Sequence, residues 1–136
     1  MTSAIAAHRS SKPGKGITGW LLDQEQRKEL LLQFPPRFEE VVAHHVTLSM
    51  RVANGSELPS ETFGEIVGRV DDGKGVEAMV VSIGGTTDRP DGSTYHITWS
   101  LGAGRQARES NDVIAKLGWE PIELPMPVRL QPARLR

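Results

Sequence analysis

The chain contains no cysteine. Disulfides, zinc–thiolate centres and a thiol nucleophile are therefore excluded. Aromatic residues are scarce: three Trp, one Tyr and three Phe in 136 residues. Any core must rest mainly on aliphatic side chains. Neither sign of charge prevails, since 16 Lys and Arg stand against 17 Asp and Glu. With a formal net charge of −1, no global field attracts nucleic acid, and affinity for RNA or nucleotides must come from a local patch. No apolar run approaches the length of a membrane span, and Met1–Gly16 lacks the long apolar stretch of a signal peptide. The expectation is a cytoplasmic protein with no membrane segment. Histidine is also rare, limited to His8, His44, His45 and His96.

Two of those four histidines fall in matched copies of one pattern. His44-His45-Val46-Thr47-Leu48-Ser49-Met50 and Tyr95-His96-Ile97-Thr98-Trp99-Ser100-Leu101 share His, Thr and Ser at the same offsets, with apolar residues between. Alternation of apolar and polar residues at period two describes a half-buried strand. Parity then places His45, Thr47 and Ser49 on one face, and likewise His96, Thr98 and Ser100. Val46, Leu48 and Met50, and Ile97, Trp99 and Leu101, take the other. The serines are read as solvent-side strand residues and Trp99 as core. By the same parity His44 turns toward the core, away from Thr47, as does its counterpart Tyr95. Two imidazoles and two hydroxyls facing one cleft suit acid–base chemistry on a phosphate. An imidazole titrates near neutrality, so one ring can act neutral and the other protonated, while Thr47 and Thr98 donate to phosphate oxygens.

His45-Val46-Thr47-Leu48 and His96-Ile97-Thr98-Trp99 resemble the signature of the two-histidine (2H) phosphoesterase superfamily, His-apolar-Thr-apolar repeated once per chain. That group includes bacterial LigT-like RNA phosphodiesterases and the cyclic phosphodiesterase domains of fungal and plant tRNA ligases. The resemblance covers residues from about Ile17 to the C-terminus, with the two motifs as its specific part. The histidines are 51 residues apart, short for the family, which implies a pared-down lobe between them. The resemblance implies hydrolysis of 2′,3′-cyclic phosphates on RNA ends or small nucleotides, without metal or other cofactor. It assigns His96 as general base and His45 as general acid. A monomer is expected, whose partner is an RNA terminal cyclic phosphate or a small cyclic nucleotide.

Fourteen glycines and nine prolines punctuate the remaining sequence. Met1–Gly16 reads as a flexible tail containing His8, with residues 17–136 as a single domain. Ile17–Leu22 suits a strand. Asp23 caps a helix over Gln24–Phe34, with Gln26 at the capping-box offset and Pro35-Pro36 as its stop. Strands are expected over His44–Val52, Phe63–Val70, Val76–Ile83 and Thr94–Leu101, with Asp71–Gly75 as a hairpin turn. Ser110 or Asn111 caps a short helix over Asp112–Leu117, closed by Gly118. Pro125–Leu130 is expected as an edge strand because of its prolines. The fold class is α+β: two antiparallel sheet lobes flanking a central cleft, with a few short helices on the outside.

Three further residues are candidates for substrate binding. Arg105 and Arg108 follow the second motif in a glycine-bearing loop, where guanidinium groups match phosphate oxygens. Trp20 offers a stacking surface for a base. Two other readings compete with the enzyme. One is a non-catalytic module that holds a nucleotide or RNA end in the same cleft. The other is a metal site built from His44, His45 and His96.

Overall fold

A computed structural model describes residues 2–135. The element order is α1 (Ala4–Ser10), β1 (Pro13–Leu22), α2 (Gln24–Gln33), β2 (Glu40–Val41), β3 (His45–Val52), β4 (Phe63–Asp71), β5 (Val76–Ser82), β6 (His96–Leu101), α3 (Glu109–Leu117) and β7 (Glu120–Arg134). The strands form one antiparallel sheet in the order β2-β6-β5-β4-β7-β1-β3, curled into a half-barrel with three short helices, an α+β fold. The two expected lobes are the two ends of this sheet, joined through β7. Among the described residues no helix is long and apolar enough to cross a membrane.

Local signals account for much of this. The Asp23 carboxylate accepts from Gln26 N at 2.9 Å and so caps α2. Pro35, which cannot continue a helix, follows one residue after its C-cap, Phe34. Gly73 and Gly75 turn the β4–β5 hairpin with φ of 68° and 110°, values that L side chains rarely adopt.

The curled sheet encloses one apolar cluster that includes Trp20, Leu22, Val46, Leu48, Ile66, Met79, Val81, Tyr95, Ile97 and Trp99. Both indoles are satisfied there: Trp20 Nε1 donates to Glu61 O and Trp99 Nε1 to Phe34 O, each at 2.8 Å. A second cluster lies on the opposite face of β5 and β6, where Val76, Ala78, Val80 and Leu101 pack on Val113 and Ile114 of α3.

Three expectations are corrected. Part of the segment read as a tail is α1, whose Ala4 and Ala7 join the main core. Glu61 Oε2 accepts from Ala4 N at 3.1 Å, and His8 Nδ1 lies 2.6 Å from Ser49 Oγ. Small residues three apart make one side of a helix that packs closely, a signal too short to register as periodicity. Secondly, the last strand is not peripheral. β7 stands between β4 and β1, yet its residues 120–121 and 126–129 pair with β4 and its residues 130–134 with β1. Each half is thus paired on one side, which leaves an open side for the missing N–H of Pro121, Pro127 and Pro132. Thirdly, α3 begins at Glu109, with Arg108 at the cap position; Ser110 and Asn111 are inside it and serve other purposes.

Gly19 lets β1 approach β3. A Cβ there would meet Val46 O at 2.1 Å and Thr47 Cα at 3.0 Å. Gly19→Ala must therefore push the first motif strand aside. The expected loss is about 1–3 kcal/mol, measured as a lowered urea midpoint. An unchanged midpoint would show that the strand yields freely.

Candidate active site

The two motif strands meet where the ends of the curled sheet approach. β2 pairs with β6 through Glu40↔Leu101 and Val41↔Ser100. The same register continues as Val42 N donates to Trp99 O and Ala43 N to Thr98 O, both at 2.9 Å. Beyond Ala43 the chain turns into β3, which lies in contact with β6. The charge of His45 is felt at His96. Val46, Leu48, Ile97 and Trp99 all face the enclosed core, so His45 and Thr47, and His96 and Thr98, lie on the other face of their strands. Each motif thus keeps its His and first Thr off the core face, on two strands that are in contact.

Parity fails at the third position of each copy, and in the same way. Gly19 pairs with Thr47 and Thr18 with Ser49, so Leu48 is an extra residue on its strand. Ala78 pairs with Thr98 and Glu77 with Ser100, so Trp99 is extra on its own. These are β-bulges, which break the alternation. Both serines consequently turn inward rather than to solvent. Ser49 is buried against His8, and Ser100 donates to Glu77 Oε1 at 2.6 Å. Met50, assigned to the apolar face, is exposed.

His44 also departs from expectation. It precedes β3 rather than belonging to it, and Ala43 adopts φ of 43°, which redirects the chain. Its ring is exposed rather than turned to the core, and its Nδ1 lies 3.0 Å from His45 Nδ1. Tyr95, its counterpart in the repeat, is buried edge-on against Trp20. Burial pushes its hydroxyl up to about 12, with the charge of Glu61 acting in the same direction.

The environments of the two half-buried imidazoles differ. His96 Nδ1 lies 2.8 Å from Thr94 O. A carbonyl only accepts, so Nδ1 carries the hydrogen and Nε2 keeps its lone pair. Burial holds the His96 imidazole below its ordinary value. The Thr94 bond opposes this, the charges of Arg89 and His45 add to it, and Asp91 opposes it weakly. His45 is also held low, by burial first and by the charge of His44 second.

Of the three substrate-binding candidates, none joins the pair. Trp20 is 0% exposed in the core and offers no face to a base. Arg105 is taken up by Asp72 at 3.0 Å and Glu109 at 3.0 Å; its stem packs against Gly75 at the β4–β5 hairpin, beyond the far end of β6 from His96. Arg108 is exposed at the start of α3, beside Glu109 and Asp112. Thr98 is present but committed: its hydroxyl donates to Ala107 O at 3.3 Å and lies 2.8 Å from Ser110 Oγ, which fastens α3 to β6. Thr47 remains half-buried on the face it shares with His45.

The arginine at this site is Arg89, whose Arg-Pro-Asp-Gly stretch carries no sequence motif that would single it out. It is 4% exposed. Its guanidinium reaches Asp91 at 3.2 Å, Asn111 Oδ1 at 3.2 Å and the Thr47 carbonyl at 3.5 Å, and its charge is felt at His96. Its proximity to the motifs arises because the 84–94 segment folds back over β3, which no local pattern encodes. Among the described residues no three His, Asp or Glu side chains converge in a metal-holding group. The arrangement offers one imidazole ready to take a proton and a second beside it to give one, with a fixed cation behind. No family model, curated protein or solved structure matches this chain.

Proposed function

We propose that the protein is a phosphodiesterase of the two-histidine type, which opens 2′,3′-cyclic phosphates of RNA ends or small nucleotides by acid–base catalysis. It would act as a monomer in the cytoplasm, without a metal or cofactor. The observation that carries this reading is His96 lying near enough to His45 to feel its charge, on two strands that share motif and bulge. In the reaction, water attacks phosphorus in line with a departing ribose oxygen. His96 Nε2, its lone pair freed by the Thr94 bond, takes the proton of the water. His45 protonates the oxygen whose bond to phosphorus breaks. The Arg89 cation favours the anionic diester near His96, and the Thr47 hydroxyl is the donor left to its non-bridging oxygens, since Thr98 is spent on α3. This reading moves the anion-binding role from Arg105 and Arg108 to Arg89.

The test is incubation of purified protein with uridine 2′,3′-cyclic phosphate in excess EDTA. Hydrolysis to a single nucleoside monophosphate isomer is expected. Loss of turnover on chelation, with recovery on adding a divalent ion, would refute the mechanism. Tight binding without turnover would instead support the non-catalytic module.

A further inference from the structure

Two like nitrogens 3.0 Å apart, Nδ1 of His44 and Nδ1 of His45, form a hydrogen bond only if one carries a hydrogen and the other does not. The rings are nearly perpendicular, at 82°, with centroids 5.2 Å apart, so the contact is edge-directed rather than a stack. His44 is exposed and His45 half-buried. A proton shared by the pair therefore rests at lower cost on His44, where water solvates the charge. His44 Nδ1–H then donates, His45 Nδ1 accepts, and the hydrogen of neutral His45 sits on Nε2.

We propose that His44 is the positioning residue of the acid: it fixes the His45 tautomer and resupplies the proton that His45 delivers. The inference rests on the acid–base reading above. As the departing ribose oxygen gains the Nε2 hydrogen, His44 Nδ1–H breaks and His45 Nδ1–H forms. The positive charge leaves His44, the negative charge of the leaving oxygen is neutralised, and solvent reprotonates the exposed ring. This arrangement answers a difficulty of the site: an imidazole half-buried beside a second imidazole holds its own second proton poorly, yet it has to act as an acid.

The position of His44 is itself built. Arg27 of α2 donates from Nε to Ala43 O at 2.8 Å and from its terminal nitrogen to Val42 O at 3.1 Å, and Leu22 N donates to His44 O at 3.0 Å. The charged and titratable groups beside the pair are therefore Arg27 from α2, held on the carbonyls just before His44, and His96 from β6, on which His45, Arg89 and Asp91 act in turn.

The experiment compares wild type with His44→Ala and His44→Asn on two substrates. One is uridine 2′,3′-cyclic phosphate. The other is an aryl phosphodiester whose nitrophenolate departs without a proton. On the cyclic phosphate, His44→Ala should lower kcat about tenfold with KM unchanged, part of the ~10²–10⁴ that an acid supplies, and should move the alkaline limb to lower pH. His44→Asn, which presents an amide near the Nδ1 position but binds no proton, should leave that limb shifted. On the aryl ester both variants should match wild type. Equal losses on both substrates with an unmoved limb would reduce His44 to a packing role and overturn the proposal.

If wild type turns over neither substrate, the functional reading fails, and nitrogen NMR of the imidazoles still decides the pair. His45 Nδ1 should respond to a titration that His44→Asn removes. A His45 titration indifferent to that substitution would overturn the proposal by itself.

Discussion

His96→Ala and His45→Ala should each remove nearly all turnover of a 2′,3′-cyclic phosphate. In the proposed mechanism base and acid act in one transition state, so losing either raises the same barrier, by a factor of roughly 10²–10⁴. Thr47→Ala should cost less, because a neutral donor is lost while the proton chemistry stays. Thr98→Ala should appear mainly as lost stability, since its hydroxyl ties Ala107 and Ser110 of the α3 region to β6. Steady-state kinetics on the four variants, with folding checked by circular dichroism, make the comparison. A folded His96→Ala protein with wild-type turnover would end the acid–base reading.

The pH dependence follows in sign. As the proposed base, His96 works only when neutral, and burial holds it below its ordinary 6.5. Activity should persist below pH 6.5 and fall only as pH drops through the depressed value. Stability moves with it. The unfolded chain takes up protons on these imidazoles near 6.5, whereas the folded chain resists until lower pH. The stability contributed by the neutral rings is therefore complete above that value and is lost as pH falls below it. Denaturation midpoints at pH 7.5 and 5.5, for wild type and His96→Ala, measure the share of this loss that His96 carries.

The largest effect on stability is expected at Glu77, which is 0% exposed. Its carboxylate accepts from Arg69 Nε at 2.8 Å, from the Ser100 hydroxyl at 2.6 Å and from Arg37 N at 3.0 Å. Glu77→Ala would leave the Arg69 guanidinium without its buried counter-charge and Ser100 without its acceptor. Breaking a buried pair from one side costs about 3–5 kcal/mol, a large part of the ~5–15 kcal/mol that holds a domain together. Glu77→Gln keeps one acceptor oxygen and the side-chain volume and should cost less. Urea midpoints at constant slope report both. A Glu77→Ala midpoint equal to that of wild type would show the cluster to be dispensable.

The parts of this molecule legible in the sequence are those set by neighbours along the chain. Asp23 and Gln26 mark the start of α2 because a cap bond spans three residues. His45-x-Thr47 and His96-x-Thr98 share a face because the pleat repeats every two. The same rule misled from Leu48 and Trp99 onward, since a bulge is decided by the partner strand and leaves no mark in composition. The inward turn of Ser100 became readable only with Glu77 beneath it. Arg89 and Asn111, far apart in sequence, meet through a fold-back of the 84–94 segment. Trp20 followed the usual fate of an apolar strand tryptophan, and Arg105 found two carboxylates before any substrate could.

The chain passes from β2, at one end of the strand order, through Val42–His44 directly into β3 at the other end. The gap between the imidazoles is thus set by how tightly the sheet rolls, as the gap in a split ring is set by its radius. A residue far from both rings would tune the proposed catalysis by altering that radius, with Gly19 and the one-residue bulges as the adjusters nearest to hand. Opening of the ring should show first at the Val42 and Ala43 amides, whose hydrogen exchange should outpace that of β7 on the opposite arc.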